Sequence, residues 1–366
     1  MVSCQLSVVS CQWSVVSCQW SVVSCQWSVV SCQWSVVSCQ LSFSFLASPT
    51  PPLPHSPTLP LSHSPSPCPK IPLGGKLKQR ARSRIDQVAL NEELVEVGSL
   101  KWFYREAKPI GRSDRLPVLL LHGLPSQSYS WTEVMPGLAE KGYFCIAPDW
   151  IGFGISSKPD KREFAYTPDA FIDALAAFIE TLEIDRFSLV VQGFLGSCGI
   201  QYALRNPEKI ERLAILNAPM SSAAKVPWKI QQLGLPLVGE MVTQDPLLVD
   251  RTLEGGSGYG ISEKDLDVYR RPYLKSSDAG RSLLWTVRNL QLQQSMAEIE
   301  SGLRGWTQPT LIAWGMKDRW LPFTQTEGVA SSMQNAQVCK LEEAGHYPQE
   351  HWSDKVSEAL IGFLRR

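Results

Sequence analysis

The segment Leu189-Val-Val-Gln-Gly-Phe-Leu-Gly196 has the pattern of a short buried strand that runs through a sharp turn into a helix. A brief apolar run ended by glycine is typical of a central strand in a parallel sheet. Gly193, at the tip of the turn, adopts positive φ without the steric penalty that other residues meet. Because glycine has no side chain, the tip of this turn carries no reactive group.

The chain from about residue 85 onward alternates strand patterns with helix patterns. Two segments, 169–182 and 355–364, place apolar residues at helical spacing. Strands that alternate with helices form parallel sheets with helices on both faces. The sequence therefore predicts an α/β fold with a mostly parallel, eight-stranded sheet. The predicted strands are 95–97, 102–106, 117–121, 143–147, 189–192, 213–216, 310–314 and 338–341.

One region interrupts this alternation. Residues 219–305 contain no convincing strand and read as several helices separated by proline and glycine. We interpret them as a helical cap inserted after the sixth strand, over the strand ends where open α/β sheets bind ligands. The predicted hydrolase-like core is then 85–218 together with 306–366.

The first 84 residues have a different composition. Residues 1–47 contain six copies of a heptad, Val-Ser-Cys-Gln-(Trp/Leu)-Ser-(Val/Phe), and 48–84 form a Pro/Ser-rich and then basic linker. Ser and Cys occupy positions where a coiled coil needs Leu, so we expect the repeat not to fold as one. Near-identical copies suggest a translated DNA repeat. Our hypothesis is that translation starts downstream of Met1.

Composition sets limits on partners and location. Acidic and basic residues number 35 each, so net charge favours neither nucleic acid nor a membrane surface. Phosphate-binding glycine loops, dinucleotide motifs and metal-spaced His or Cys clusters are missing from the sequence, so no cofactor or metal is predicted. The cysteines outside the repeat suggest reduced thiols in a cytoplasmic protein. A small apolar molecule is the expected partner, and the oligomeric state is left open.

Five motifs follow one another in a fixed order. They are His122-Gly-Leu-Pro125, Asp149-Trp-Ile-Gly-Phe-Gly-Ile-Ser156, the segment 189–196, Trp314-Gly-Met-Lys-Asp318 and Ala344-Gly-His-Tyr-Pro348. Together they resemble the α/β-hydrolase superfamily, in its haloalkane dehalogenase and epoxide hydrolase branch, over residues 90–366. A form with glycine at the nucleophile position is similar to proteins of cyanobacteria and plant plastids.

The resemblance implies a catalytic base and its partner. His346 matches the family histidine in the loop after the last strand, and Asp318 matches the acid after the strand before it. Such a carboxylate fixes the tautomer of the imidazole. His122 belongs to the His-Gly turn and His351 to a polar segment, so both are weaker candidates. The alternative for Asp318 is a loop aspartate that balances a neighbouring cation.

The resemblance also places Gly193 at the position of the covalent nucleophile. The backbone N–H groups of Leu124 and Phe194 match the oxyanion hole, which needs no particular side chain. Glycine would leave space beside His346 for a ligand atom or a water. Ser197 and Cys198 lie one helical turn further on and should point into helix packing.

One further residue of the motifs, and the walls of the pocket, complete the predicted site. Asp149 matches a family residue that is tied to backbone amides in a structural turn. We predict a largely apolar pocket lined by Leu124, Phe194 and the cap residues Trp228 and Trp285.

Three interpretations stay open. One is a non-covalent enzyme that uses His346 and Asp318 on a small hydrophobic ester, lactone, epoxide or ketone. The second is a binding or receptor-like protein. The third is a scaffold whose site is a relic. A further possibility is a conventional hydrolase whose nucleophile is misplaced by this alignment of the motifs. Gly193, Phe194 and Leu124 stand where dehalogenases place a carboxylate and halide donors, which argues against halide chemistry.

Overall fold

The computed structural model describes residues 88–245 and 247–366. Our predictions for residues 1–84 lie outside this part of the chain. Eight strands form one sheet in the order β1-β2-β4-β3-β5-β6-β7-β8. Strand β2 runs antiparallel to β1 and β4, and all other pairs are parallel. The strands are β1 Leu90–Val97, β2 Leu100–Ala107, β3 Val118–Leu121, β4 Cys145–Pro148, β5 Phe187–Gln192, β6 Ile210–Leu216, β7 Thr310–Gly315 and β8 Ala336–Leu341.

Helices cover the sheet and fill the region between β6 and β7. The predicted mostly parallel, eight-stranded sheet is confirmed. The helices are α1 Met135–Glu140, α2 Pro168–Thr181, α3 Gly196–Arg205, α4 Trp228–Gln231, α5 Val238–Val242, α6 Leu247–Ser257, α7 Glu263–Lys275, α8 Ser277–Arg288, α9 Leu292–Arg304, α10 Glu327–Ser332, α11 Pro348–His351 and α12 Ser353–Leu364.

The central strands are buried on both faces, which explains why they read as continuous apolar runs. Leu189 and Val191 of β5 belong to the same apolar cluster as Leu175 of α2. Val190 points the other way and belongs to the cluster that contains Leu360 of α12. Alternate residues of one strand thus hold helices on opposite faces of the sheet.

Six helices, α4 to α9, occupy the chain between β6 and β7, and the described part of this region contains no strand. Helix α9 packs closely on α3, because a Cβ added to Gly302 would lie 2.7 Å from Leu204 Cδ1. The end of α6 reaches the loop after β8, where His346 N–H donates to the Gly256 carbonyl at 2.9 Å. Across the described residues, no helix is both long and apolar enough to cross a membrane.

Candidate active site

The turn after β5 has the geometry that its sequence predicts. Gly193 has φ +68°, and its N–H donates to the Leu216 carbonyl at 3.2 Å. A Cβ added there would lie 3.0 Å from Gly123 Cα, so the His122–Pro125 loop runs directly against the turn. The same Cβ would lie 3.4 Å from Nε2 of His346. The structure therefore brings the predicted base to the tip of the turn.

His346 and Asp318 form a buried hydrogen-bonded pair. Nδ1 of His346 lies 2.8 Å from Oδ2 of Asp318, and neither side chain is exposed. Oδ2 also accepts from Asn217 Nδ2 at 2.8 Å, and Oδ1 accepts from the N–H groups of Trp320 at 2.7 Å and Leu321 at 3.0 Å. A buried carboxylate needs such donors to offset its lost hydration. With Nδ1–H donating to Asp318, Nε2 of His346 carries the free lone pair.

Aromatic rings pack around the imidazole of His346. Nε2 of His346 is buried and has no hydrogen-bond partner. The imidazole centroid lies 5.4 Å from the Phe194 ring in a stacked arrangement, and 4.8 Å from the rings of Trp320 and Tyr347. The space that we expected beside His346 is thus closed to water in this conformation.

Gln192, the last residue of β5, links the two loops of the site. Its Oε1 accepts from Gly123 N–H at 3.1 Å, and its Nε2 donates to the His346 carbonyl at 2.7 Å. Tyr347 adds a second link, because its hydroxyl donates to the Leu124 carbonyl at 2.6 Å. These bonds hold the backbone of the histidine loop at a fixed position over the turn.

Two backbone donors beside the turn remain free. Among the residues that the structure describes, the N–H groups of Leu124 and Phe194 have no hydrogen-bond acceptor. Unpaired N–H groups are uncommon in protein interiors. They are the two groups that the sequence assigns to an oxyanion hole. A carbonyl oxygen of a ligand is a suitable acceptor for them.

His122 is a structural histidine. Its Nδ1 lies 2.9 Å from the Gly123 carbonyl, and its Nε2 accepts from Trp150 N–H at 3.1 Å. Burial lowers the pKa of His122, which favours the neutral imidazole. Both nitrogens are therefore already occupied in holding the loop.

Asp149 is likewise bound to the backbone. Oδ1 accepts from Ser128 N–H and Oδ2 from Ile155 N–H, both at 2.7 Å. A Cβ on Gly154 would lie 1.8 Å from Oδ2, so only glycine fits there. This is the structural turn that the sequence predicts.

Ser197 and Cys198 are both engaged in other contacts or buried, and neither lies in a reactive position. The Ser197 hydroxyl donates to the Phe194 carbonyl at 2.7 Å. Burial raises the pKa of the Cys198 thiol to about 12, which leaves almost no thiolate at neutral pH. Neither side chain is arranged as a nucleophile for His346.

The two tryptophans predicted to line the pocket have different surroundings, and the role of Trp285 in the pocket stays a prediction. Trp228 is 62% exposed, so the prediction that it lines an enclosed pocket is wrong. Trp285 is half-buried beneath two cations, with Lys161 Nζ 4.1 Å and Arg288 Cζ 4.9 Å from its ring centroid. Apolar character alone predicted these residues, and it does not fix the direction of a side chain. Within the described chain, Trp320 is the tryptophan that contacts His346.

Asn217 and Trp320 were not predicted as site residues. Asn217 follows β6 directly, with φ +43°, and its Oδ1 accepts from Gly315 N–H at 2.8 Å. Positive φ at a non-glycine residue is a common mark of functional turns. The available signal in the sequence was a polar residue placed at the end of a buried strand.

A second polar cluster lies one helical turn beyond His346. The Tyr269 hydroxyl, from α7, donates to the Glu350 carboxyl. Burial raises the pKa of Glu350 to about 7; the Tyr269 hydrogen bond opposes this rise, whereas the charges of Asp265 and Glu133 add to it. Glu350 therefore titrates near neutral pH.

Comparison with known proteins gives a consistent result. Residues 117–351 match the family model described as alpha/beta hydrolase fold. The chain is 28% identical over 275 residues to a cis-3-alkyl-4-alkyloxetan-2-one decarboxylase of Xanthomonas campestris pv. campestris, covering 70% of this chain and 90% of the relative. It is 32% identical over 267 residues to the protein of the same name from Shewanella oneidensis, covering 68% and 81%.

Solved structures agree with this result. The crystal structure of the haloalkane dehalogenase DbeA from Bradyrhizobium elkani is similar to this chain with a TM-score of 0.68 and 27% identity. The similarity covers 76% of this chain and 98% of the dehalogenase. The predicted likeness to the dehalogenase branch is supported. The likeness to cyanobacterial and plastid proteins stays a prediction.

Proposed function

This chain belongs to the α/β-hydrolase fold family, and we propose that it is an enzyme that hydrolyses a small apolar ester or lactone without a covalent intermediate. The observation that carries the proposal is the His346–Asp318 pair. Nδ1 is held by the carboxylate, and the unpartnered Nε2 lies against the turn at Gly193. A buried imidazole oriented in this way is equipped to accept a proton.

The first step is the attack of water. When a ligand has displaced the aromatic rings, Nε2 of His346 takes a proton from water while its oxygen bonds to the substrate carbonyl carbon. The electron pair of the C=O bond moves to the carbonyl oxygen. Because the N–H groups of Leu124 and Phe194 are free, they stabilise that oxyanion. Asp318 stabilises the imidazolium that forms.

The second step is collapse of the tetrahedral species. The oxyanion electron pair re-forms the C=O bond, and the bond to the alkoxide leaving group breaks. The imidazolium of His346 returns its proton to that alkoxide. One water is consumed, and an acid and an alcohol are released; a lactone yields both in one molecule. The histidine ends in its starting state.

Gly193 accounts for the absence of a covalent step. We propose that it occupies the position of the family nucleophile, where its lack of a side chain prevents an acyl or alkyl intermediate. Dehalogenation needs that nucleophile and halide donors, so we expect none here. Gly193 also relaxes the turn, because φ +68° is strained for other residues by about 1–3 kcal/mol.

The substrate class follows from the walls of the site and from the relatives. Phe194, Trp320 and Tyr347 pack their aromatic rings around the His346 imidazole, which favours an apolar ligand. Two relatives are named for an oxetan-2-one, which is a four-membered lactone with alkyl substituents. Alkyl lactones are therefore the first substrates to test.

A specific observation favours a second function. The same rings leave Nε2 closed to water and without a partner. A protein that binds an apolar ligand and does not turn it over needs only the enclosed pocket. The alternative is therefore a ligand-binding or receptor-like protein that keeps the pair for structural reasons.

A substrate panel distinguishes the proposed enzyme from the ligand-binding protein. Alkyl lactones and nitrophenyl esters are incubated with the wild type, His346→Ala and Gly193→Ser. Turnover by the wild type that is lost in His346→Ala supports the enzyme. Absence of wild-type turnover, with a rise in melting temperature on ligand addition, supports the binding protein.

The Gly193→Ser variant tests the remaining machinery. A gain of esterase activity, with an acyl adduct detected by mass spectrometry, shows that the base and the donors are competent. His351→Ala is the matched control, because His351 lies five residues away and contacts the Gly260 carbonyl rather than the site. Inert behaviour of every variant, with no ligand-induced stabilisation, contradicts both functions.

A further inference from the structure

Exposed apolar side chains are concentrated in one short segment of the molecule. Of the eleven large apolar residues exposed in the described chain, six lie within residues 228–247. Isolated exposed apolar residues are ordinary, whereas a cluster marks an interaction surface. The six residues of this apolar patch are Trp228, Leu235, Leu237, Val238, Met241 and Leu247.

Helix α5 shows why the patch faces outward. Its inner side is fixed by Gly239, where a Cβ would lie 2.4 Å from the Leu233 carbonyl oxygen and 3.2 Å from Leu284 Cδ1. Val238 and Met241 lie one turn apart along the helix. Leu237 precedes them and is 75% exposed, and Met241 is 77% exposed. The exposed side of α5 therefore carries the apolar side chains of Val238 and Met241 beside one charged residue, Glu240.

The backbone at Leu237 adds a second observation. Its φ is +63°, a conformation that costs a leucine on the order of 1 kcal/mol or more. The side chain gains nothing in the described fold to offset this cost, because it is exposed. Backbone strain that no contact within the described fold offsets is a mark of a functional surface.

Basic residues border the patch. Lys229 is exposed beside Trp228 on α4, and Lys225 precedes that helix. Arg288 of α8 is exposed, and its Nε donates to the Gly234 carbonyl at 3.0 Å, which places the guanidinium next to the turn that joins α4 to α5. Residues 225–247 contain two acidic residues, Glu240 and Asp245, and Asp245 is paired with Arg251. The border is therefore net positive.

We propose that the apolar patch docks the protein on a lipid surface with anionic headgroups. Trp, Leu and Met side chains enter the boundary between headgroups and acyl chains, and Lys225, Lys229 and Arg288 meet the phosphates. This local signal departs from our expectation of no membrane partner, which rested on the net charge of the whole chain. The proposal does not depend on the proposed hydrolysis.

A second copy of the chain fits the patch less well. In a two-fold dimer the same surface meets itself, so the positive borders would face each other. Like charges at an interface oppose association. An anionic lipid surface instead complements the border and accepts the apolar side chains at once.

Vesicle binding of the full chain tests the proposal. Sedimentation is measured with vesicles of phosphatidylcholine alone and of equal parts phosphatidylcholine and phosphatidylglycerol. We expect binding to the anionic vesicles and a loss of roughly tenfold or more in the double variant Leu237→Asp/Met241→Asp. Lys225→Glu/Lys229→Glu should remove the preference for anionic vesicles.

Leu94→Asp is the matched control. Leu94 is 63% exposed on β1, outside the patch, so its substitution should leave vesicle binding unchanged. The N-terminal repeat is present in every variant, so differences between variants report on the patch alone. Circular dichroism and thermal melting establish that each variant is folded.

Three results overturn the proposal. The first is a wild type that does not bind either vesicle. The second is equal weakening by Leu94→Asp and by the double variant. The third is a dimer, seen by light scattering, that dissociates in the double variant, which would assign the patch to a second copy of the chain.

Discussion

The loops after β6, β7 and β8 meet the turn after β5 and the loop after β3 at His346, and the two sides differ in what they bring. The first side supplies Asp318, Asn217 and the imidazole, all joined by hydrogen bonds of 2.8 Å. The second supplies Gly193 and two free backbone N–H groups. Proton transfer is therefore possible at this site without a covalent bond to the protein.

The comparison also shows that the two sides are held by different means. Side-chain hydrogen bonds fix the Asp318 side. Backbone contact fixes the Gly193 side, because a Cβ added to Gly193 would lie only 3.0 Å from Gly123 Cα. Removal of a polar group on the first side should change turnover, whereas Gly193→Ala on the second side should change stability.

The largest expected effect is on the first side. Asp318→Asn keeps the shape of the side chain but removes the charge that stabilises the imidazolium. We expect turnover of the best substrate to fall by about 10²–10⁴-fold, with little change in KM, measured by steady-state kinetics. Asp354→Asn, at an exposed position of α12, is the control. Unchanged turnover in Asp318→Asn would remove the pair from the mechanism.

Gln192 joins the two sides, so its loss should affect the fold itself. Gln192→Met keeps the length and leaves Gly123 N–H and the His346 carbonyl without partners. Because both groups are buried, we expect a loss of about 2–4 kcal/mol in the free energy of unfolding, measured by urea denaturation. Gln231→Met, on an exposed side chain, should change stability by less than about 0.5 kcal/mol. Equal effects at the two positions would contradict the linking role.

Gln192 also makes a contact that could not be predicted from the sequence. The central strands β3 to β7 were predictable because each contains a local run of apolar residues, and His346 and Asp318 were found through motifs. The bond from Gln192 to His346 joins residues 154 apart in the chain. No local pattern carries that contact, because it exists only when β5 and the loop after β8 have packed together.

The errors have a physical reason of the same kind. Trp228 has the aromatic character of a pocket residue, but the direction of its side chain depends on how α4 packs. Closure of the site by Phe194 and Trp320 was not predictable either. It depends on the rotamers of rings that come from different loops.

On the second side, the smaller expected effect is on Gly193. Gly193→Ala meets both a positive φ and a 3.0 Å contact with Gly123 Cα. Gly98→Ala is a matched control, because Gly98 has φ +59° and its added Cβ meets nothing within 4 Å. We expect about 1 kcal/mol of destabilisation in Gly98→Ala and about 1–2 kcal/mol more in Gly193→Ala. Urea denaturation measures both, and equal values would show that the turn has room for a side chain.

The smallest effect lies outside both sides, at Glu350, and depends on pH. Its pKa is raised to about 7 in the fold, from 4.5 in the unfolded chain. Below pH 4.5 both states hold the proton, and between pH 4.5 and 7 only the unfolded state loses it, so the free energy of unfolding falls. Glutamine has no proton to lose. Glu350→Gln should therefore gain stability over the wild type as pH rises from 5 to 8.

The partial exposure of Glu350 limits the gain in stability that Glu350→Gln should show. Glu350 is half-buried, so solvent screens part of the penalty, and we expect about 1–2 kcal/mol at pH 8. Urea denaturation at pH 5 and pH 8 measures the difference, with Glu358→Gln on the exposed face of α12 as control. A difference between Glu350→Gln and the wild type that stays constant over this range would show that Glu350 ionises alike in both states. The Tyr269 contact would then have no part in the pH response, and the acid–base chemistry of this region would be confined to His346 and Asp318.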